Sequence, residues 1–361
     1  MRIAILCDAL DFQYAGIRTY LRGLLTALPS ADPKNEYLLV RAKPDGERVG
    51  DFPEIVVPLL GRLPGHRYLR AFTSLPRALV RAGVNAVVEP AHFGPFGLPP
   101  QVRRITIIHD LTPLLFPHFH PLPSVAAHRL LLPGILKRAD RIIANSLHTQ
   151  RDIEAFQPAA AGKVRVVLPG KDAMFRPVQD VSVLEKMGIR QPYLLCTGTL
   201  EPRKNLLSLL RAYEALRKRG GPALQLVLVG KAGWKMRPFF EALKTSPFRQ
   251  DILLAGFVHR EDLPALYAQC RLFIYPSWYE GFGLPVLEAM ACGAPVLISN
   301  SSSLPEVGGN AAAYFNPESV NELTGQLLRL TTDVGLLAAM GKASLERSAN
   351  FNWESAKGWL D

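Results

Sequence analysis

The sequence predicts an α/β protein with two doubly wound, Rossmann-like domains that face each other across a cleft. Its 361 residues exceed what one hydrophobic core usually organises, so two domains are expected. Short apolar runs alternate with stretches of helical periodicity, which is typical of parallel strands joined by crossover helices. Two series of such runs flank a polar stretch, Pro169 to Val181, that we interpret as the junction between domains 1–177 and 178–345.

Eleven apolar runs are predicted to be strands. Those of the first half are Arg2–Cys7, Tyr37–Val40, Val84–Glu89, Ile105–His109, Arg141–Ala144 and Val164–Leu168. Those of the second half are Tyr193–Cys196, Gln225–Val229, Ile252–Leu254, Leu272–Tyr275 and Pro295–Ser299. Open α/β sheets bind ligands at the carboxyl ends of their strands. The polar and glycine-rich residues that follow these strands are therefore the candidate site residues.

Composition excludes several classes of protein. The balance of 48% hydrophobic and 20% charged residues is that of a globular chain and not of a disordered one. No apolar run approaches the length of a membrane span, and the first strand is followed by Asp8 and Asp11, unlike a signal peptide. The four cysteines are scattered singly, without metal-binding or disulfide spacing, which fits a reducing cytoplasm. The sequence contains no Asp-x-Asp pair, the motif that would suggest a divalent metal ion, so no metal site is expected.

Positive charge is concentrated in the first half. Of the net charge of +11, residues 1–177 carry +9, from 23 Lys and Arg against 14 Asp and Glu. Between Ile55 and Val88 there are no acidic residues. A helical wheel of this segment places arginines on one side and apolar residues on the other, and Pro76 divides the segment into two short predicted helices. This pattern is equally typical of a face that binds an anionic membrane surface and of arginines that are only solvated. The arginines of this segment are Arg62, Arg67, Arg70, Arg77 and Arg81. Without a recognition motif, nucleic acid is not an expected partner.

The most informative stretch is Glu280–Met290, in which a loop with two glycines runs into a helix. Gly283 lets the backbone approach a ligand, and Pro285 suits the first turn of a helix. The helix start directs free N–H groups and a positive dipole end at an anion, so backbone at Phe282, Gly283 and Leu284 is predicted to bind phosphate. Glu280 and Glu288 flank it as acceptors for hydroxyl groups, which together describes a nucleotide sugar. The competing interpretation is two solvated helix charges.

Gly198–Asn205 follows a strand and precedes a predicted helix, 206–219, for which Asn205 is a plausible N-cap. Arg203 and Lys204 then lie on a loop at the edge of the sheet. Two cations there can neutralise a diphosphate and stabilise it as it leaves. The competing interpretation is a pair of exposed loop charges.

The next loop, Gly230–Trp234, follows another strand of the second half. Lys231 can reach a phosphate, and Trp234 can stack on a base or a sugar. An equally good interpretation of Trp234 is a structural tryptophan that packs at the edge of the core.

The first half offers weaker candidates. His109 and Asp110 end a strand, where His109 would face the cleft and contact a donor sugar or an acceptor hydroxyl. His118, on the loop that follows, is a candidate for the acceptor site together with Asp110. Gly16 follows the first strand and permits close backbone approach to a ligand, although a single glycine is not a dinucleotide fingerprint.

At these residues the chain resembles the family 4 retaining glycosyltransferases of the GT-B fold. The matching motifs are Thr199–Asn205, Glu280–Glu288, Gly293–Val296 and Ser303–Val307, with thinner matches at Gly16–Tyr20, His109–Asp110 and Ala144–Ser146. Thr199 stands where the family usually has an arginine, and Arg203 is the residue able to supply that charge.

The resemblance implies a role for each part. Glu280 would contact hydroxyls of the donor sugar, and Glu288 would bind the ribose. Lys204 and the Phe282–Leu284 backbone would bind the diphosphate. His109 would lie near the reacting sugar. The first domain would bind the acceptor and the second the donor. A last helix, 346–361, would cross back toward the first domain.

The implied reaction moves a hexose from a nucleotide sugar, GDP- or UDP-linked, to a hydroxyl of a glycan or lipid-linked acceptor with retention of configuration. A double displacement needs a carboxylate against the anomeric carbon, and none stands out; departure and attack on one face is the alternative. The Thr199–Asn205 and Gly230–Trp234 segments look most like GDP-mannose-dependent enzymes. Such an enzyme would build surface polysaccharide or glycolipid at the cytoplasmic face of the membrane. A nucleotide-sugar epimerase and a non-catalytic binder are the alternative functions.

Overall fold

The computed structural model describes residues 1–12, 15–59 and 66–357, which form two compact units. The first unit contains Met1–Leu115, Leu122–Gly170 and the chain from Asn352 onward. The second contains Lys171–Phe351 together with the short segment Phe116–Pro121. The chain passes from one unit to the other between Gly170 and Lys171, and the boundary expected at residue 177 stays a prediction.

The first unit is built on a sheet of seven parallel strands in the order β3-β2-β1-β4-β5-β6-β7. Neighbours β1 and β4 are not consecutive in the chain, so the strand order reverses between them. Such a switch point is where open α/β sheets bind ligands. The strands are β1 Arg2–Leu6, β2 Glu36–Arg41, β3 Glu54–Val56, β4 Ala86–Glu89, β5 Arg103–Ile108, β6 Arg141–Ala144 and β7 Val164–Val166.

Helices cover both faces of this sheet. Successive residues of β1 alternate between two apolar clusters: Ile3 and Ile5 pack on one face, and Ala4 and Leu6 on the other. The α-helices are α1 Asp8–Asp11, α2 Ala15–Ala31, α3 His66–Phe72, α4 Ser74–Arg81, α5 Thr112–Leu115, α6 Leu122–Arg138 and α7 Leu147–Phe156. The 3₁₀ helices within its residues are Pro158–Lys163 and Trp353–Ala356.

The second unit has six parallel strands in the order β10-β9-β8-β11-β12-β13. Its switch point lies between β8 and β11. The strands are β8 Tyr193–Thr197, β9 Gln225–Val229, β10 Ile252–Gly256, β11 Leu272–Tyr275, β12 Val296–Ser299 and β13 Ala313–Phe315.

Eight α-helices pack around this sheet among the described residues, and Leu194 of β8 and Leu209 belong to its apolar core. They are α8 Ser182–Lys186, α9 Leu206–Lys218, α10 Arg237–Thr245, α11 Leu263–Gln269, α12 Leu284–Ala291, α13 Leu304–Gly308, α14 Val320–Thr332 and α15 Val334–Ser348. The 3₁₀ helices of this unit are Pro117–Phe119, Pro202–Lys204, Arg249–Asp251, Arg260–Asp262 and Gly309–Ala311.

All eleven predicted strands are present, with ends that differ by up to two residues, and helix 206–219 ends one residue earlier than expected. The predicted pair of short helices around Pro76 corresponds to α3 and α4. Strands β3 and β13 were missed. Over residues 346–357 the structure has the end of α15 and the 3₁₀ helix Trp353–Ala356, in which Trp353 packs edge-on against Tyr20 of the first unit, with ring centroids 5.2 Å apart.

Candidate functional site

A buried cluster of charges lies at the switch point of the second unit. The Lys204 ammonium donates to the Tyr275 hydroxyl, at the end of β11, and to Glu280 Oε1 at 2.7 Å. Arg203 Nη1 lies 2.7 Å from Glu280 Oε2, and its Nη2 donates to Glu201 Oε1 at 2.6 Å. Of the candidates named from the sequence, the structure brings Arg203, Lys204 and Glu280 into direct contact.

The loop after β8 presents both cations through a short 3₁₀ helix, Pro202–Lys204. Asn205 ends it with φ of +54°, a left-handed conformation that asparagine tolerates better than most residues. The expected N-cap bond of Asn205 is wrong: its side chain makes none and instead donates to the Pro317 carbonyl at 2.9 Å. Its side chain therefore ties this loop to the segment after β13.

Glu280 stays ionised although it is buried. Burial alone would raise the pKa of its carboxyl, but the positive charges of Arg203 and Lys204 outweigh burial, so the pKa is lowered from its ordinary value. Its backbone N–H donates to Ser302 Oγ at 2.8 Å, which fixes the loop from the other side. The result is a rigid carboxylate whose remaining lone pairs can accept hydroxyl groups.

The start of α12 adjoins this cluster along the chain. Gly283 precedes Leu284 with φ of +108°, and a Cβ atom there would lie 2.7 Å from Leu304 Cδ2. The Ser303 hydroxyl lies within hydrogen-bond distance of the Glu280 and Phe282 carbonyls, at 2.8 and 2.9 Å, and so pins the loop that leads into the helix. The first N–H groups of a helix have no acceptor within it, so this end can bind an anion.

Two glycine-containing loops meet beside this cluster. A Cβ atom on Gly230, whose φ is +145°, would lie 2.0 Å from the Gly198 carbonyl oxygen. The N–H of Leu200 donates to the Lys231 carbonyl at 2.9 Å, and the N–H of Gly233 donates back to the Leu200 carbonyl at 2.8 Å. Close backbone pairing of the loops after β8 and β9 therefore requires glycine at position 230.

Glu288, in the middle of α12, is half-buried and accepts a hydrogen bond from the Tyr267 hydroxyl at 3.1 Å. The Tyr267 hydroxyl has a single proton, which it donates in the hydrogen bond to Glu288. It therefore accepts the hydrogen bond from Thr197 Oγ1, at 2.9 Å. Burial raises the pKa of Glu288 to about 7, although the bond from Tyr267 favours the ionised form. Glu288 therefore changes protonation near neutral pH.

The titration of Glu288 predicts a pH dependence of stability. In the unfolded chain its carboxyl loses the proton near 4.5, whereas the folded protein keeps it up to about pH 7. The folded state then binds more protons in this window, so the contribution of Glu288 to stability falls as pH rises. The stability of wild type relative to Glu288→Gln, measured by urea unfolding, should decline from pH 4.5 to 7 and level off above. A constant or rising difference would contradict the burial assigned to Glu288.

The loop 230–234 contacts the segment Phe116–Pro121. The Trp234 indole N–H donates to the Phe119 carbonyl, and Lys235 Nζ donates to the His118 and His120 carbonyls at 2.7 and 2.9 Å. Trp234 remains 36% exposed. Lys231 is also exposed, with its ammonium 4.6 Å from the centre of the Phe257 ring. His118 thus belongs to the same unit as the predicted donor residues, and not to the first unit where it was expected.

The other first-half candidates lie in the first unit. His109 is buried, its Nε2 donates to the Pro90 carbonyl at 2.9 Å, and burial lowers its pKa. With Nε2 protonated, the neutral ring leaves Nδ1 as an acceptor. Asp110 accepts a hydrogen bond at 2.9 Å from the N–H of Thr112, the first residue of α5. Gly16 lies exposed in the first turn of α2, where a Cβ atom would meet no other atom within 4 Å among the described residues.

The proposed arginine face is smaller than expected. Arg70 is 2% exposed, because it donates to Asp8 Oδ2 at 2.6 Å and to the Val57 carbonyl at 2.7 Å. The helical wheel put it on the surface, which is wrong. Arg77 and Arg81 are exposed as predicted. Arg62 and the side chain of Arg67 lie outside the described residues.

The described residues contain neither a candidate metal site nor a candidate membrane span. Within the ranges 1–12, 15–59 and 66–357, no three His, Cys, Asp or Glu side chains are grouped so that they could hold a metal ion. In those same ranges, no helix combines the length and apolar character that a membrane span requires.

Two family models match this chain. The one described as Glycosyl transferases group 1 matches residues 185–347, and the one described as Glycosyltransferase Family 4 matches residues 14–174. The O-antigen chain mannosyltransferase B of Escherichia coli is 30% identical over 98% of this chain and 97% of its own. The chain belongs to the family 4 glycosyltransferases.

Solved structures share the fold of this glycosyltransferase. Sucrose-phosphate synthase from Thermosynechococcus elongatus has a TM-score of 0.77 at 19% identity, covering 100% of this chain and 97% of its own. Anabaena HepE in complex with UDP and glucose has a TM-score of 0.73 at 18% identity, covering 100% and 98%. Identities this low carry the fold alone, and the predicted GT-B fold is confirmed.

Sequence reasoning missed several residues that complete the buried cluster around Glu280. Tyr275 was the last residue of a predicted strand, and its position at the carboxyl end was a usable signal. Nothing in the local sequence marks the others, because their partners lie far away in the chain. These residues are Thr197 and Tyr267, whereas Glu201 and Ser303 lie within motifs already named from the sequence and Ser302 adjoins one of them.

Proposed function

We propose that this glycosyltransferase moves a mannosyl group from GDP-mannose to a hydroxyl of a growing surface glycan, with retention of configuration. The observation that carries the proposal is the cluster of Lys204, Tyr275 and Glu280 at the switch point beside the start of α12. Likeness to an O-antigen mannosyltransferase along nearly the whole chain supports mannose as the sugar and a polysaccharide as the product.

In this proposal Lys204 is the cation that binds the diphosphate. Its ammonium has three N–H groups, and among the described residues Tyr275 and Glu280 take two of them. The third is available to a phosphate oxygen. The helix start at Gly283 and Leu284 supplies backbone N–H groups for the same diphosphate.

Arg203 has a positioning role. One of its terminal nitrogens donates to the Tyr279 carbonyl at 2.8 Å and lies 2.7 Å from Glu280, and the other donates to Glu201. These contacts orient the guanidinium toward Glu280. It keeps that carboxylate ionised and fixed, so that Glu280 can accept hydroxyls of the sugar while Glu288 accepts those of the ribose.

The bond between the anomeric carbon and the diphosphate breaks in the rate-determining step, and negative charge grows on the departing oxygen. Lys204 and the helix start are in place before this charge develops, so they stabilise the transition state more than the ground state. The acceptor hydroxyl attacks from the face that the diphosphate leaves, and the departing phosphate takes its proton.

A metal ion is not required in this proposal, because Lys204 and the helix dipole supply the positive charge. GDP should raise the melting temperature in the presence of EDTA, since a ligand at 100 times its Kd adds about 2.7 kcal/mol of stability. UDP, dTDP and ADP at the same concentration should shift it less. A shift that appears only with Mg²⁺, or equal shifts with all four nucleotides, would count against this donor site.

Attachment to the cytoplasmic face of a membrane is the second part of the proposal. Arg77 and Arg81 are exposed on α4, and Leu69, Phe72 and Val80 are about half exposed, at 52%, 52% and 48%. Basic and apolar side chains on neighbouring helices suit an anionic lipid surface.

Vesicle sedimentation tests this attachment. Each arginine near an anionic surface contributes about 1 kcal/mol, so the double variant Arg77→Gln, Arg81→Gln should bind phosphatidylserine vesicles roughly 30-fold more weakly. The matched control is Arg211→Gln, Lys218→Gln, which removes two exposed charges of the second unit. Equal losses in both double variants would show a response to net charge and not a membrane face.

A further inference from the structure

The donor loop, residues 280–283, packs against the end of α15 through an aromatic contact. Phe282 is buried in this loop, and the ring of Phe351 lies edge-on to its ring, with centroids 5.8 Å apart and an angle of 75° between the planes. Phe351 is also buried and follows α15 in the chain. The loop that precedes the proposed diphosphate site therefore rests on a residue that sequence motifs did not mark.

Arg347, in the last turn of α15, holds Phe351 in this position. Its guanidinium lies over the Phe351 ring, 5.0 Å from the ring centre. The same guanidinium donates to two carbonyls of α13, from Nη2 to Glu306 at 2.6 Å and from Nε to Val307 at 3.1 Å. A guanidinium fixed by two hydrogen bonds has little freedom, and its attraction to the face of an aromatic ring restricts the ring as well.

These contacts close into a ring, because the donor loop is also bonded to the start of α13. The Ser303 hydroxyl lies 2.9 Å from the Phe282 carbonyl oxygen, and α13 begins directly after Ser303. From Phe282 the contacts continue to Phe351 and then to Arg347, which is bonded to the other end of α13. A loop held at both its side chain and its carbonyl has less freedom to lose when a ligand binds, which favours affinity.

We propose that Phe351, held by Arg347, is a positioning residue for the donor loop: it keeps the backbone N–H groups at Gly283 and Leu284 in the orientation that binds the diphosphate. The inference rests on the proposed function, because it concerns the same nucleotide diphosphate at the same helix start. It adds that donor affinity depends on the segment by which the chain enters and leaves the second unit. The Phe351 carbonyl, where the chain leaves, accepts from the Lys171 N–H at 3.0 Å, where the chain enters.

Calorimetric titration with GDP in the presence of EDTA tests the proposal. Phe351→Leu keeps an apolar side chain but removes the ring, and should weaken GDP binding about tenfold, near the upper limit for an edge-on aromatic pair. Phe248→Leu is the matched control. Phe248 also packs edge-on against an aromatic ring, that of Tyr213 at 6.3 Å, and under a guanidinium, that of Arg217 at 4.9 Å. It precedes β10, at the opposite end of the sheet from the donor loop, so this control should bind GDP as wild type does.

A second variant keeps the test decisive if urea unfolding shows that Phe351→Leu does not fold. Arg347→Met removes a half-buried guanidinium and leaves both rings in place, so it should fold and weaken GDP binding about threefold. Unchanged affinity in a folded Phe351→Leu, or in Arg347→Met where the first variant is unfolded, would overturn the inference and leave the donor site standing. An equal loss in Phe248→Leu would do the same. Failure of wild type to bind GDP would instead overturn the proposed function.

Hydrogen exchange at Lys171 supplies a readout that a merely structural role of Phe351 would not change. Coupling between two positions is reciprocal, so GDP held by the donor loop should in turn restrain Phe351 and the Lys171 N–H bonded to it. We expect GDP to slow exchange of this amide in wild type, and to have no effect on it in Phe351→Leu at saturating GDP. Exchange at Lys171 that GDP leaves unchanged in wild type would overturn the inference.

Discussion

Replacing Lys204 with methionine is expected to reduce sugar transfer by about 100- to 1,000-fold, the usual effect of removing one donor to a charge that develops in the transition state. Methionine keeps most of the apolar stem that packs near the Tyr275 ring, whose centre is 4.6 Å from the ammonium. Glu280 retains its contact with Arg203 at 2.7 Å, so the fold should be preserved. Initial rates of transfer from GDP-mannose to a mannoside acceptor measure the effect.

Lys342→Met is the matched control, because the Lys342 side chain is 82% exposed on α15 of the same unit. It should transfer sugar at the wild-type rate. Wild-type turnover in Lys204→Met would mean that the diphosphate binds elsewhere. Glu280→Ala is a poorer test: it leaves two buried cations without their shared carboxylate, and breaking such buried pairs typically costs about 3–5 kcal/mol of stability.

Gly230→Ala is expected to have the largest effect on stability. The added Cβ atom would lie 2.0 Å from the Gly198 carbonyl oxygen, and φ of +145° is strained for any residue with a side chain. The backbone of both loops must then move, which we expect to lower the free energy of unfolding by more than about 4 kcal/mol. Urea unfolding measures the loss, and donor binding should weaken with it.

Gly325→Ala is the matched control for this substitution. Gly325 is exposed in α14, and a Cβ atom there meets no other atom within 4 Å among the described residues. Alanine is the better helix former, so stability should rise by up to about 1 kcal/mol. If Gly230→Ala were as harmless as this control, the close pairing of the loops after β8 and β9 would be wrong.

The fold was largely predictable from the sequence because buried parallel strands are continuous apolar runs. The two missed strands, Glu54–Val56 and Ala313–Phe315, have three residues each and lie at the edges of their sheets. Such short edge strands carry too few side chains to establish a period. The start of α12 after Gly283 was likewise predictable, because glycine and proline have defined roles at the start of a helix. That this loop binds the donor stays a prediction.

Long-range partners were not predictable from the sequence. A helical wheel places Arg70 among surface arginines, but Asp8, 62 residues away, binds it in the interior. Local pattern makes Asn205 an N-cap, but Pro317, 112 residues away, takes its side chain. In both cases a tertiary contact overrides a local preference, and such contacts arise only when distant segments pack together.

A crystal structure of the protein with GDP, grown without divalent metal, tests the central claim most directly. We predict that the diphosphate lies within hydrogen-bond distance of Lys204 Nζ and of backbone N–H groups at Gly283 or Leu284. A diphosphate bound away from the start of α12, or coordinated by a metal ion with Lys204 still turned to Glu280 alone, would contradict the account.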